Sequence, residues 1–372
     1  MLELRKKYLI KPDFSIDLEW SMNKAQEALN QHPLSITDVI SPMGKVHINE
    51  YYSNGDYWWP DPDKKDGLPY IRRDGESNPD AFMYHRFAIR KTRTAISHLT
   101  RAYMHTKDEI YAEKAVELLK LFFINEDTKM MPHLLYAQAL PGICSGRGIG
   151  IIDTLHITDI PFALEVLKKS NSLTNDIYNK MVRWFEDYLE WMTTHQHGFD
   201  ESNEPNNHGI CYYVQVAVFA LFTENTQLLE HCREMFFKKV IVQMNKDGGF
   251  DKELARTKPY GYSLFVLDNF ITLCHVLSDK KNNFWEYKTT DGRCARKANE
   301  FMIPYIKNKE IWPYKKDVEY FDDYPSRMSF MVFGGYVLGI KELIQIYQSL
   351  PEESYVDEVR RNTTIRQPFL WI

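Results

Sequence analysis

Cysteine is scarce in this 372-residue sequence, and the five present (Cys144, Cys211, Cys232, Cys274 and Cys294) form no CxxC and no short pairing. Neither a disulfide framework nor a structural zinc knot is expected. No apolar run reaches the length needed to cross a bilayer, so no membrane partner is expected. The basic surplus of a nucleic-acid-binding surface is also missing: 46 Lys and Arg face 51 Asp and Glu, for a formal charge of -5. Nucleic acid is therefore not an expected partner. The N-terminus carries Arg5, Lys6 and Lys7, but its only apolar stretch afterwards is Tyr8 to Ile10, too short for a signal-peptide core. That leaves a cytosolic protein or a mature form whose signal has been removed. Regular strand alternation is nearly absent, with only short apolar pieces such as Ile149 to Ile152. At 44% hydrophobic and 26% charged residues, the chain is not mainly disordered.

Aromatic residues are abundant: 21 Phe, 23 Tyr and 8 Trp make 14% of the chain. Excess Tyr and Trp need places where a ring is half buried, which a sugar-lined groove provides and a rich helical core also provides. Helical periodicity is the dominant pattern. Segments Asp80 to His105 and Glu109 to Phe123 follow each other closely enough to pack as an antiparallel hairpin. The layout returns at Asn175 to Thr194 with Asn207 to Thr223, at Thr226 to Met244 with Tyr260 to Leu277, and at Arg293 to Ile306 with Ser326 to Leu350. Successive helical hairpins with long loops predict an all-α solenoid or a closed α/α toroid. No fixed-period repeat points to tetratricopeptide or armadillo arrays, and no Pro/Gly/Ser-rich linker divides the chain, so one domain over 1–372 is expected.

The loops concentrate the chemistry. Tyr57 to Pro79 (YWWPDPDKKDGLPYIRRDGESNP) holds Trp58, Trp59, Arg72 and Arg73 outside any amphipathic pattern, and a loop of this length is functional or a structural arm. Met131 to Asp153 contains Gly146, Gly148 and Gly150. No strand leads into them and no Lys-Ser/Thr follows, so close backbone packing is expected instead of a nucleotide site, with Tyr136, Gln138 and Arg147 as hydrogen-bonding groups. Asn206-Asn207-His208 stands at the start of an apolar helix, where free N–H groups and the positive dipole end suit an anionic ligand. An N-cap with a first-turn histidine is the simpler reading. In ELARTKPYGYS (253–263), the turn at Pro259 and Gly261 can direct Arg256 and Tyr262 toward the same space. His195 and His197 lack a carboxylate or thiol at ligand spacing, so no metal is expected.

No Gly-x-Ser-x-Gly elbow or Cys/His signature supports nucleophilic hydrolysis. Paired carboxylates for a glycosidase stay open among Asp200, Glu201, Glu204, Asp251 and Glu253. β-Elimination from a uronic acid polymer uses the observed set better. It removes the C5 proton α to a carboxylate, and that carboxylate must be neutralised by groups such as Asn, His or Arg. A tyrosine beside a cation can carry the proton. In mannuronate and glucuronate H5 and O4 share a ring face and one tyrosine suffices; in guluronate they do not, and His208 is the candidate second group.

WWPDP (58–62), DGLPYIRRDGESNP (66–79), YAQALPG (136–142), GRGIGIIDT (146–154), NNHG (206–209), ELARTKPYGYS (253–263) and IWPYKKDVEYFDDYPSR (311–327) together resemble the ordered motifs of the alginate-lyase superfamily, closest to the polysaccharide lyase family 38 type. The resemblance implies an α/α toroid of about six to seven helical hairpins. It also implies cofactor-free, metal-independent cleavage of β-1,4-linked polyuronates such as alginate or glucuronan, in a periplasmic or secreted setting, with a cytoplasmic one left open. By the same resemblance Asn207 and His208 match the Asn-His pair, Arg256 the arginine and Tyr262 the catalytic tyrosine. Trp58, Trp59, Arg72, Arg73, Tyr136, Gln138, Arg147 and Arg327 are candidates for the sugar subsites. The sequence departs from better-known alginate lyases at Gly209 to Tyr212, where an aromatic residue and Trp are common, and by one residue fewer between Arg256 and Tyr262; substrate preference is left open. The competing readings are a glycoside hydrolase on the same toroid and a non-catalytic acidic-polysaccharide-binding protein.

Overall fold

Apolar residues at helical spacing, closed by caps, build the first long hairpin. In a computed structural model describing residue 4 and residues 8–372, Tyr84–Thr106 is a helix that buries Ala88, Ile89, Ala95, Ile96, Leu99 and Tyr103. Lys107 stops it with a left-handed backbone (φ 62°) and an N–H donated to Tyr103 O at 2.9 Å. Asp108 then caps the next helix, Glu109–Phe123, by accepting from Ile110 N–H at 3.1 Å. The basic run Arg5-Lys6-Lys7 lies outside the described residues.

Two compact units are described, each by itself. The unit Ser21–Asn203 contains most of α1 (Leu18–Leu29), then β1 (Tyr52–Asn54), β2 (Trp58–Trp59), β3 (Ile71–Arg72), α2 (Tyr84–Thr106), α3 (Glu109–Phe123), β4 (Tyr136–Ala139), α4 (Asp159–Leu167), α5 (Asn175–Thr194) and α6 (Gln196–Ser202). β1 pairs with β4 in parallel and β2 with β3 antiparallel. Both pairs are too short to show alternation in the sequence. Ahead of α4, Gly148–Thr158 winds as a 3-10 helix. The glycines in and just before it serve close packing, as expected: a methyl group on Gly150 would lie 2.5 Å from Ala137 Cβ, and one on Gly146 would lie 2.0 Å from Leu135 O.

The second unit, residues 204–372 with the described residues before 21, holds α7 (Asn207–Phe222), α8 (Thr226–Met235), α9 (Asp251–Leu254), α10 (Pro259–Leu277), α11 (Ala295–Lys307), α12 (Ser329–Leu338), α13 (Lys341–Ser349) and α14 (Asp357–Arg360). α10 packs along α7 and α12 and is buried over its whole length, as a helix apolar on all sides must be. Asp268 within it is held by Ser329 Oγ at 2.6 Å and Phe330 N–H at 2.7 Å, so it caps α12. Two expected helices are shorter than the pattern suggests. The helix expected over 226–244 ends at Met235 and passes into a π-turn, Phe236–Val240. The one expected over 326–350 is split at Gly339, whose φ of 68° ends α12. No helix among the described residues is long and apolar enough to cross a membrane.

Candidate active site

The start of α7 is built by Asn206. Its extended backbone places Oδ1 to accept His208 N–H at 2.9 Å, and Nδ2 donates to Glu204 Oε2 at 3.2 Å. The N-cap is thus Asn206, which frees Asn207 as the first helical residue. Asn207 is buried at 4% exposure, and its carboxamide has no hydrogen bond to a described residue. His208, next along, is half-buried. Gly209 lets the chain pass close to residue 204, because a methyl group there would sit 2.2 Å from Glu204 O.

The ELARTKPYGYS motif meets this helix start through Glu253. Glu253 Oε1 accepts Asn207 N–H at 2.8 Å, and Glu253 O accepts Arg256 N–H at 3.1 Å. One buried acid therefore ties the Asn-His pair to the turn that carries the arginine. Arg256 Nη2 in turn donates to Tyr262 Oη at 3.3 Å, and its guanidinium carbon stands 4.4 Å from the centre of the Tyr262 ring. Tyr262 lies in the first turn of α10, its N–H on Lys258 O at 3.0 Å, with only 8% of its surface exposed. A phenol oxygen that accepts from a guanidinium is poised to take a proton from elsewhere.

The unit Ser21–Asn203 carries the aromatic and basic candidates. Trp58 pairs with Arg72, and Trp59 with Ile71, across β2 and β3. Trp59 Nε1 donates to Glu76 O at 3.0 Å while the Arg73 guanidinium lies 4.9 Å over its ring. Arg72 is exposed and paired with Asp74 at 2.6 Å. The Tyr136 ring meets His47 edge-on at 5.9 Å. Gln138 adopts a positive φ of 49° and is fully engaged: N–H to Ser53 Oγ at 2.8 Å, Nε2 to Asp153 Oδ1 at 3.2 Å, and both oxygens accepting from Arg147 at 3.0 and 3.1 Å. Gln138 thus acts on Arg147. That guanidinium lies 5.7 Å over Trp58, and its Nη1 has no hydrogen bond to a described residue. Burial pulls its pKa below the ordinary value, and Arg72 adds to the effect. An arriving carboxylate would relieve that cost. Arg327 is employed otherwise: it is paired with Asp17 and donates to Tyr347 O at 2.8 Å and Gln348 O at 3.2 Å, the pattern of an anchor.

The sequence profile of the alginate lyase family matches residues 42–312, most of the chain and all of the candidate quartet Asn207, His208, Arg256 and Tyr262. The chain belongs to the alginate lyase family. A solved alginate lyase from Bacteroides ovatus is 32% identical over 94% of this chain and 92% of its own, with a TM-score of 0.82. Alginate lyase A1-III from Sphingomonas species A1 is 15% identical over 86% of this chain and 85% of its own, with a TM-score of 0.53. A histidine-to-alanine variant of that enzyme, solved in complex with a tetrasaccharide, is 13% identical over 94% of this chain and 92% of its own, with a TM-score of 0.55. No curated protein matches the sequence. As a member of the alginate lyase family the chain is a polysaccharide lyase of the all-α, α/α-toroid class.

Within this alginate lyase family member, Glu253 is the part of the quartet's surroundings that the sequence did not reveal. It was visible only as one loop carboxylate among five, and its bond is to a backbone N–H, for which no side-chain pattern exists. The five cysteines are free thiols. His195 caps α6 by accepting His197 N–H at 3.1 Å, and no cluster of three His, Cys, Asp or Glu suited to a metal occurs among the described residues.

Proposed function

We propose that this chain cleaves β-1,4-linked polyuronates, alginate (mannuronan) or glucuronan, by β-elimination in the manner of the family 38 type. The observation that carries the reading is the Arg256–Tyr262 pair: a guanidinium 4.4 Å over a phenol ring and 3.3 Å from its oxygen. Beside such a cation the phenolate form is favoured. Tyr262 takes the C5 proton; the C4–O4 bond breaks as the C4–C5 double bond forms, and Tyr262 returns the proton to O4. Asn207 and His208 neutralise the carboxylate, so that the enolate-like charge building on it meets hydrogen-bond donors already in place. Every charge that develops is answered by a side chain, so no step calls for a metal. The carboxamide of Asn207, which has no hydrogen bond to a described residue, suits this role. Trp58, Trp59, Arg73 and Arg147 offer ring faces and cations for uronate residues; the tetrasaccharide bound by the Sphingomonas enzyme supports an oligosaccharide ligand. Such a polymer would be met outside the cytoplasm, in a periplasmic or secreted setting.

The test is ultraviolet absorbance of the unsaturated uronate on mannuronan, guluronan and glucuronan. Tyr262→Phe keeps the ring and removes the proton carrier, and should lower kcat roughly a thousandfold or more, several kcal/mol of transition-state stabilisation. Near-normal turnover by that variant would reject the assigned role. Reducing sugar released without the absorbing product would instead indicate a hydrolase, and binding without turnover a carbohydrate-binding protein.

A further inference from the structure

Tyr262 is held by a helix whose own first turn has no local cap. α10 begins at Pro259, which has no N–H, and Lys258 before it offers no side-chain acceptor. The next two N–H groups, of Tyr260 and Gly261, are both taken by Asp317, Oδ1 and Oδ2 each at 2.8 Å. The carboxylate is buried at 7% exposure and comes from a loop far along the chain. Its neighbours extend the contact: Val318 N–H donates to Thr257 O at 3.1 Å, and Glu319 pairs with Lys258 Nζ at 3.0 Å. The loop therefore runs beside the whole link from Arg256 to Tyr262. Gly261 makes the fit possible, since a methyl group there would lie 3.0 Å from Asp317 Oδ2 and 2.9 Å from Tyr324 Cε2.

The geometry points to Asp317 as a positioning residue for the elimination, fixing the first turn of α10 so that Tyr262 stands at hydrogen-bonding distance from Arg256. This rests on the assignment of Tyr262 as proton carrier. Asp317 touches neither substrate nor the reacting atoms; it acts through the backbone of the two residues before Tyr262. A bidentate carboxylate on two helix N–H groups is strong because its charge also meets the positive end of the helix dipole. The charged and titratable groups facing it are Lys258, Lys309, Tyr260 and Tyr324. Burial pushes its carboxyl up to about 6, against the two amides and both lysines. Its charge is therefore lost within a range that can be reached with the protein folded.

The experiment compares wild type with Asp317→Asn, which keeps the size but offers one acceptor oxygen and turns an NH2 toward the second N–H. At a pH of about 7.5, kcat should fall roughly tenfold to a hundredfold, the scale of a small misplacement of a reacting group, with KM changed less than about twofold. Wild-type kcat should also decline as pH falls through about 6, and that decline should be absent from Asp317→Asn. A folded variant with wild-type kcat, a loss confined to KM, or an unchanged acid limb overturns the inference. Hydrogen-exchange protection of the Tyr260 and Gly261 amides, corrected for intrinsic rates and compared at a pH of about 7.5, supplies a readout that needs no activity. It should be lower in Asp317→Asn, where one of the two N–H groups loses its acceptor, than in wild type; equal protection overturns the inference. Wild type without lyase activity on any polyuronate would refute the proposed function, while the exchange result would still decide the role of Asp317.

Discussion

Glu253 is 1% exposed, yet only one of its carboxylate oxygens meets a donor: Oε1 accepts from Asn207 N–H at 2.8 Å, and Oε2 has no partner among the described residues. Burying such an oxygen is costly, and the gain is a fixed start for α7. Glu253→Gln retains an acceptor for Asn207 N–H and loses the charge facing the helix dipole, which should cost below about 1 kcal/mol of stability. Glu253→Ala leaves that N–H without its partner and should cost about 2 kcal/mol, with kcat/KM falling further than in the glutamine variant because Asn207 and Arg256 lose their common tie. Urea denaturation and steady-state kinetics on both variants check the order; equal effects would show that the charge, not the acceptor, matters. The candidate residues Asn207, His208, Arg256 and Tyr262 could be named from the sequence because NNHG and ELARTKPYGYS are short, ordered motifs. Glu253 and Asp317 were not, since each acts on backbone N–H groups of a segment distant in sequence, and any acceptor in the right place would read the same. Arg327 shows the converse: its position in a motif suggested a sugar contact, while its nitrogens are spent on Asp17, Tyr347 and Gln348.

Among elements, legibility followed length and capping. α3 and α5 run as their periodicity predicts, each with a side-chain cap, Asp108 and Thr174. The helix expected over 226–244 was overrun because Phe236–Val240 keeps helical composition while its backbone slips into a π-turn, which hydrophobic spacing does not register. The break between α12 and α13 carried a readable sign, Gly339, since a glycine inside an apolar run is a helix stop when it adopts φ above zero. Gly339→Ala should accordingly destabilise the protein by about 1–2 kcal/mol, the cost of a left-handed backbone for an L-residue. The added methyl would lie 3.3 Å from Leu9 Cβ, so packing offers no compensation. Chemical denaturation measures this, and an unchanged midpoint would mean that α12 and α13 can join as one helix. The β1–β4 and β2–β3 pairs could not be foreseen: two to four residues leave no alternation to detect.

At the scale of the whole chain, acid should act on both units through buried histidines. His85 in one and His275 in the other are each pulled from 6.5 to about 4 by burial. His133 and His197 are lowered too, burial again being the first cause. For these groups the unfolded chain takes up a proton first. The stability they contribute is present above the ordinary histidine value and is lost as pH falls toward about 4. Asp317 has the opposite sign: raised to about 6, it binds its proton more readily in the fold, so its contribution is present below the ordinary carboxylate value and is lost as pH rises through about 6. His85 and His275 are each worth about 3 kcal/mol over their window and Asp317 about the same against them, so the histidines win. Unfolding midpoints in urea should therefore fall between a pH of about 7 and about 5. His275 donates Nε2–H to Trp371 O at 3.0 Å, and His275→Gln keeps a donor there without a titrating group. That variant should lose less stability than wild type on acidification. A midpoint that is flat or rises as pH falls would mean that carboxylates like Asp317, rather than buried histidines, set the acid response of the fold.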